Sequence, residues 1–166
     1  FQYEHFFREN RDHFQMSVLI GNRLCTHAGV GNDFLKSVGF WKMDSADESI
    51  ISDYLNDLFH YKPNEFTFDG SYDRNNTGVT PSYYGDDDWQ SPIWIRPRSL
   101  QRVNKKTDLK KNYIQIVGHT QQDHIEIKGR STGGKYYYID TLPSGEYLID
   151  EDGEFEIGYA TIVKYT

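Results

Sequence analysis

The spacing of apolar positions changes along this chain, and the changes divide it into elements. Residues 1 to about 14 place Tyr3, Phe6, Phe7 and Phe14 among Glu, Arg, Asn and Asp. The 3, 6, 7 spacing predicts a helix with one buried face. Gln15–Ile20 and Arg23–Thr26 are short apolar runs joined by Gly21-Asn22, a hairpin-type pair, and they predict two β-strands. After His27-Ala28-Gly29 the chain is expected to enter a loop and a short helix around Asp33 to Val38. Ser45-Ala46-Asp47-Glu48 has the form of a capping box, in which hydroxyl and carboxylate each accept from the other residue's amide. Behind it Ile50, Ile51, Tyr54, Leu55, Leu58 and Phe59 recur at helical spacing. The clearest helix is therefore expected from Asp47 to about His60, with Pro63 stopping its continuation.

From Asn64 to Gln90 the chain is rich in Gly, Asp, Asn, Ser and Tyr, a loop long enough to be functional or mobile. Asp86-Asp87-Asp88 within it reads either as a solvated tip or as oxygen ligands for a hard cation. Ser91–Arg98 follows, where Pro97 stiffens the backbone between Arg96 and Arg98. Two guanidinium groups there suit paired oxygens of phosphate or carboxylate; the plainer reading is a salt bridge and a solvated side chain. The last third is almost all β. Candidate strands are Tyr113–Val117, His124–Lys128, Lys135–Ile139, Glu146–Ile149 and Phe155–Val163, punctuated by Gly133-Gly134, Pro143-Ser144-Gly145 and Asp152-Gly153.

Composition narrows the function. With 166 residues the chain fits one domain, 1–166, with a real core. Its 25 Asp and Glu against 18 Lys and Arg give a formal net charge of −7. That argues against nucleic-acid binding, which rests on clustered positive charge. The basic run Arg102, Lys105, Lys106, Lys110 and Lys111 contains Asn104 and Asp108 and reads as a solvated loop or helix end. No apolar run reaches the length of a membrane span. A single cysteine, Cys25, excludes an intrachain disulfide and suits a reducing, cytoplasmic setting; inside an apolar strand it reads as an inert thiol. Many aromatics interleaved with Gly, Asp and Asn are accounted for by sheet and loop packing.

Two histidines carry the chemistry. His27 and His119 each follow an apolar strand and each stand beside small residues, Ala28-Gly29 and Gly118. Strand exits are where ligands bind in α/β proteins, and small neighbours let a ligand approach closely. Neutral imidazole is a good ligand for Zn, Mn or Fe. The two could share a metal, or could be a hydrogen-bonded pair at a sheet edge. His5, His13, His60 and His124 lack such context and read as bystanders.

Thr26-His27-Ala28-Gly29, Ile93-Trp94-Ile95-Arg96, Val117-Gly118-His119-Thr120 and Ile139-Asp140-Thr141 occur in this order. In order and spacing they resemble the calcineurin-like metallophosphoesterases, most closely the bacterial and phage serine/threonine phosphatase and diadenosine-tetraphosphatase branch. The resemblance implies an α/β four-layer αββα sandwich, of which this chain would supply a C-terminal, β-rich part. It implies a dinuclear divalent metal centre (Mn, Fe or Zn) whose bridging hydroxide attacks phosphorus. His27 and His119 would be ligands of the second metal. Arg96 would grip the phosphate, with Arg98 in reserve. Asp140 would be a supporting carboxylate, and Thr26 and Thr120 would hydrogen-bond around the ligands. The substrate would be a phosphoester, either a phosphoprotein or a dinucleoside polyphosphate.

The chain also departs from that family. The Gly-Asp-x-His, Gly-Asp-x-x-Asp-Arg-Gly and Gly-Asn-His-Glu motifs, which supply the other ligands, are absent from the residues before His27, and position 121 is Gln rather than His. Two protein ligands are fewer than a metal normally holds. The expectation is a chain that begins within a longer phosphatase and is inactive and metal-poor alone. It would associate with the missing part or with other copies. The rival expectations are a non-catalytic module that kept the fold, or an unrelated β-rich domain in which His27 and His119 lie far apart.

Overall fold

The computed structural model describes residues 5–6, 9–43, 48–66, 87–104, 113–130 and 133–161. Five strands form one sheet: β1 (Ser17–Ile20), β2 (Arg23–Thr26), β3 (Ile114–Val117), β4 (Glu126–Arg130) and β5 (Gly133–Tyr138), in the order β1-β2-β3-β5-β4. Gly21, in the left-handed region at φ 59°, turns β1 into antiparallel pairing with β2. β2 pairs parallel with β3, and β3 parallel with β5, while β4 closes the far edge antiparallel. Between β2 and β3 the chain passes through α1 (Asn32–Ser37), α2 (Ile51–Tyr61) and α3 (Pro97–Val103). A separate ribbon, β6 (Glu146–Glu151) paired with β7 (Glu154–Tyr159), follows. The class is α/β, with a mixed sheet and few helices.

Strand alternation sorts the side chains between two faces. On one face Leu24, Gln115 and Tyr136 stand side by side, as do Thr26, Val117 and Tyr138. The helices cover this face. Leu24 joins Phe34 and Leu35 of α1 and Ile51, Leu55 and Leu58 of α2, while Val117, Tyr136 and Tyr138 join Leu100 and Val103 of α3. On the other face Tyr137 meets Phe155 of β7, with ring centroids 4.6 Å apart. Arg23 lies over Phe155 and places Nε 2.8 Å from the Asp150 carboxylate. Ile20 remains 56% exposed, so the ribbon covers only part of that face.

Polar side chains lock the crossovers to the sheet. Asn56 of α2 accepts from the amides of Met16 and Ser17 and donates to the Ser17 carbonyl, which fixes the start of β1. The buried Gln115 amide accepts from Val30 N at 2.8 Å and donates to Val30 O at 3.1 Å. A core glutamine thus replaces a strand partner for the loop after His27, and no buried backbone group at Val30 is left unpaired. The Arg11 guanidinium donates to the carbonyls of Phe59 and His60, two acceptors a helix C-terminus would otherwise leave open.

Several expectations are corrected. The long helix begins as a 3-10 turn, Glu48–Ile50, and becomes α-helical only at Ile51, with no side-chain cap. Ser45 and Asp47 of the proposed capping box lie outside the described residues. At the N-terminal end Phe6, expected on a buried helix face, is 54% exposed. Tyr3 and Phe7 lie outside the described residues. Helix α3 occupies a stretch read as stiffened but not helical. Pro97 stands near its start, where a proline costs no hydrogen bond. In the acidic triplet, Asp87 accepts from the Trp89 amide, and Asp88 takes the Arg102 guanidinium. Arg102 is thereby tied down rather than solvated. Asp86 and Lys105 to Lys111 lie outside the described residues. Among the described residues no helix is long and apolar enough to cross a membrane.

Candidate metal and phosphate site

The parallel pairing of β2 with β3 decides where the two histidines go. Thr26 stands opposite Val117, and the ladder runs one step further, with Gly118 N donating to His27 O at 2.9 Å. His27 therefore leaves β2 beside the residue that precedes His119. His119 has φ 65°, the left-handed region, uncommon for a residue with a side chain. That turn brings its ring back toward β2. His27 Nε2 lies 2.9 Å from His119 Nδ1, and the ring centroids are 4.8 Å apart. The expectation that these imidazoles lie far apart is not met.

The loop around His27 is held from three sides. Thr26 Oγ1 accepts from Gly29 N at 2.9 Å, Ala28 N donates to Pro92 O at 2.7 Å, and Gln115 holds Val30. Thr26 thus shapes the turn after His27.

Arg96 reaches the same place from the start of α3. Its Nη1 donates to Thr120 Oγ1 at 3.2 Å, and its guanidinium carbon lies 5.5 Å from the centre of the Trp94 ring. The other side of the site is formed by Trp94 against His119, with centroids 5.2 Å apart. Arg98, the reserve candidate, lies on α3 and is exposed. No bond joins it to these groups among the described residues. Asp140 accepts from Gln122 N through its backbone carbonyl at 2.8 Å, and its charge acts on His119 as described next.

Electrostatics keeps one imidazole uncharged. The His119 pKa is lowered to about 4, by burial first, then by the Arg96 and His27 charges, while the Trp94 backbone and Asp140 oppose them. At neutral pH His119 is therefore an uncharged imidazole, with one ring nitrogen protonated and the other carrying a lone pair.

The donor set fits a divalent cation in chemistry and spacing. Two nitrogens about 2.1 Å from one ion can stand no more than about 4 Å apart, and these stand 2.9 Å apart. The set is incomplete, because among the described residues no group of three or more His, Cys, Asp or Glu is placed to hold a metal.

One functional-looking pair was missed in the sequence. His124, taken for a bystander, places Nδ1 2.7 Å from Glu146 Oε1, and Glu146 Oε2 accepts from Ile125 N at 2.7 Å. The carboxylate is nearly covered, 7% exposed, while the imidazole is 78% exposed. Only fold closure reveals this partnership, since the residues lie 22 apart. The Ile125 amide, then His124, hold the Glu146 carboxyl below its ordinary value. A folded carboxyl pKa below the unfolded one contributes stability that is present above the unfolded value, about 4.3, and lost as pH falls through the folded value. Urea midpoints measured from pH 6 downward should therefore fall in the acid range. The Glu146→Gln protein should show a shallower fall there; an unchanged profile would remove Glu146 from this linkage.

Comparison with known proteins adds little to the geometry. No protein-family profile matches the chain, and no curated protein matches it. Among solved structures the cold-active protein-tyrosine phosphatase of a psychrophile, Shewanella sp., is similar at 16% identity with a TM-score of 0.46. The match covers 87% of this chain and 40% of that one. A likeness of that size supplies no argument about activity here.

Proposed function

We propose that this chain contributes half of the active site of a metal-dependent phosphoester hydrolase of the calcineurin-like kind. His27 Nε2 and His119 Nδ1 are two ligands of one divalent cation (Mn, Fe or Zn), and Arg96 grips the phosphate of a phosphoprotein or dinucleoside polyphosphate. The observation that carries this reading is the 2.9 Å approach of the two imidazole nitrogens at adjacent parallel strand ends, with Arg96 over the Trp94 ring nearby. A cation held there supplies Lewis-acid neutralisation of phosphate oxygens and lowers the pKa of bound water to about 7. The chain's own contribution is to keep His119 uncharged, fix both imidazoles from the sheet, and present a guanidinium fork bonded to Thr120. The remaining ligands come from groups beyond the described residues or from an associated polypeptide.

The test separates a ligand pair from a hydrogen-bonded pair. Titration with Zn2+ followed by long-range 1H–15N imidazole spectra should shift Nε2 of His27 and Nδ1 of His119 together. His27→Ala and His119→Ala should each weaken binding by more than the roughly 10- to 100-fold that loss of a supporting group costs. With Mn2+ this chain alone should not hydrolyse p-nitrophenyl phosphate. Metal binding that survives both substitutions would sink the ligand assignment, and hydrolysis by the chain alone would sink the half-site.

A further inference from the structure

We propose that Trp94 is a positioning residue that sets the orientation of Arg96; the inference rests on the reading of the site just given. Trp94 sits in a turn whose backbone is fixed independently of its ring. Its amide donates to Ser91 O at 3.0 Å, Ile95 N donates to the same carbonyl at 3.1 Å, and Pro92 O accepts from Ala28 in the His27 loop. The neighbouring Ile95 is fully buried and anchors the turn in the core. Core anchoring is therefore supplied by Ile95, and the half-buried Trp94 ring is left facing the site.

The ring touches both functional groups. The Arg96 guanidinium carbon is 5.5 Å from its centroid, inside the range of about 6 Å over which a cation is attracted to an aromatic face. The His119 ring is 5.2 Å from it, tilted by 52°. The Thr120 hydroxyl accepts from Arg96 Nη1, which holds one end of the fork, and the indole fixes the plane of the rest. Arginine is a long side chain with many rotamers, and a stacked guanidinium loses less freedom on forming each further hydrogen bond. Recognition of a tetrahedral oxyanion by a planar fork depends on that orientation.

The first readout needs no ligand. In 1H–15N spectra of the arginine Nε–H groups, Arg96 should give an upfield-shifted, slowly exchanging signal in the wild-type chain. That signal should be retained in Trp94→Phe and lost to the bulk position in Trp94→Ala. The second readout uses inorganic phosphate, followed by 31P line broadening with Zn2+ present. Trp94→Ala should weaken phosphate binding about tenfold, Trp94→Phe by less than threefold, and Zn2+ affinity should change by less than twofold. In an Arg96→Ala background, Trp94→Ala should add almost nothing, the non-additivity expected when one residue acts through another. An Arg96 signal that is unshifted in the wild type, or unmoved by Trp94→Ala, overturns the proposal. So does a Trp94→Ala loss that persists in full without Arg96. A shifted, Trp94-dependent Arg96 signal in a chain that binds no phosphate leaves Trp94 as the platform and overturns the phosphatase reading instead.

Discussion

Gly29→Ala is expected to destabilise the chain by about 2–6 kcal/mol, combining about 1–3 from backbone strain and about 1–3 from overpacking. Gly29 has φ 105°, beyond the left-handed region a side chain tolerates, and a Cβ there would lie 2.3 Å from Leu100 Cδ2. Leu100 has no room to give way, since it is fully buried among Ile95, Val103, Val117 and Tyr138. The strain falls on the loop that carries His27, so the 2.9 Å imidazole contact should be lost before the fold is. Urea unfolding gives the stability, and the long-range imidazole spectra give the site. Leu100→Ala should partly rescue Gly29→Ala, because it removes the clash while leaving the φ strain. Strict additivity of the two substitutions would show that the clash is not the cause.

Phe34→Ala is expected to cost about 3–5 kcal/mol, the range for emptying a fully buried phenylalanine site. Phe34 is completely buried, its ring 5.7 Å from that of Phe66, in the cluster with Leu24, Phe40 and Leu55. Helix α1 has only six residues, too few to hold together without packing. Removing its main anchor should therefore release the segment that leads out of the His27 loop. The urea midpoint should fall with little change in slope, and Phe34→Leu should recover most of the loss. A change below about 1 kcal/mol for the alanine variant would mean that this core repacks freely. Since a domain of this kind has about 5–15 kcal/mol in total, either substitution removes a large share.

Local pattern made the strands and the two histidines legible. Arg23–Thr26 and the end of Tyr113–Val117 are apolar runs bounded by turn residues, and β2 and β3 lie there within one residue of expectation. Their meeting was not derivable from spacing, because it depends on the register of two strands far apart in sequence. α3 was missed because Pro97 was read only as stiffening the backbone between Arg96 and Arg98, and tertiary packing of Leu100 and Val103 decided the outcome. His124 was dismissed for a similar reason, since its carboxylate partner arrives only with the β6–β7 ribbon. The bond from Gly29 N to Thr26 was not legible either, since it depends on the turn after His27. The resemblance placed Arg96 near the histidines; Trp94 as its platform required the ring positions.

The parallel pairing of β2 with β3 has a kinetic consequence. His27 and His119 stand 92 positions apart, and they meet only when the chain between them has closed. Contacts of that separation slow folding, because loop entropy is lost before any contact compensates for it. The imidazole pair is therefore absent from the unfolded chain and forms as one of its long-range closures. A cation that needs both nitrogens binds the closed chain and not the open one. At tenfold excess over its dissociation constant it would add about 1.4 kcal/mol to apparent stability by mass action. It would act as a late, reversible staple across the centre of the sheet.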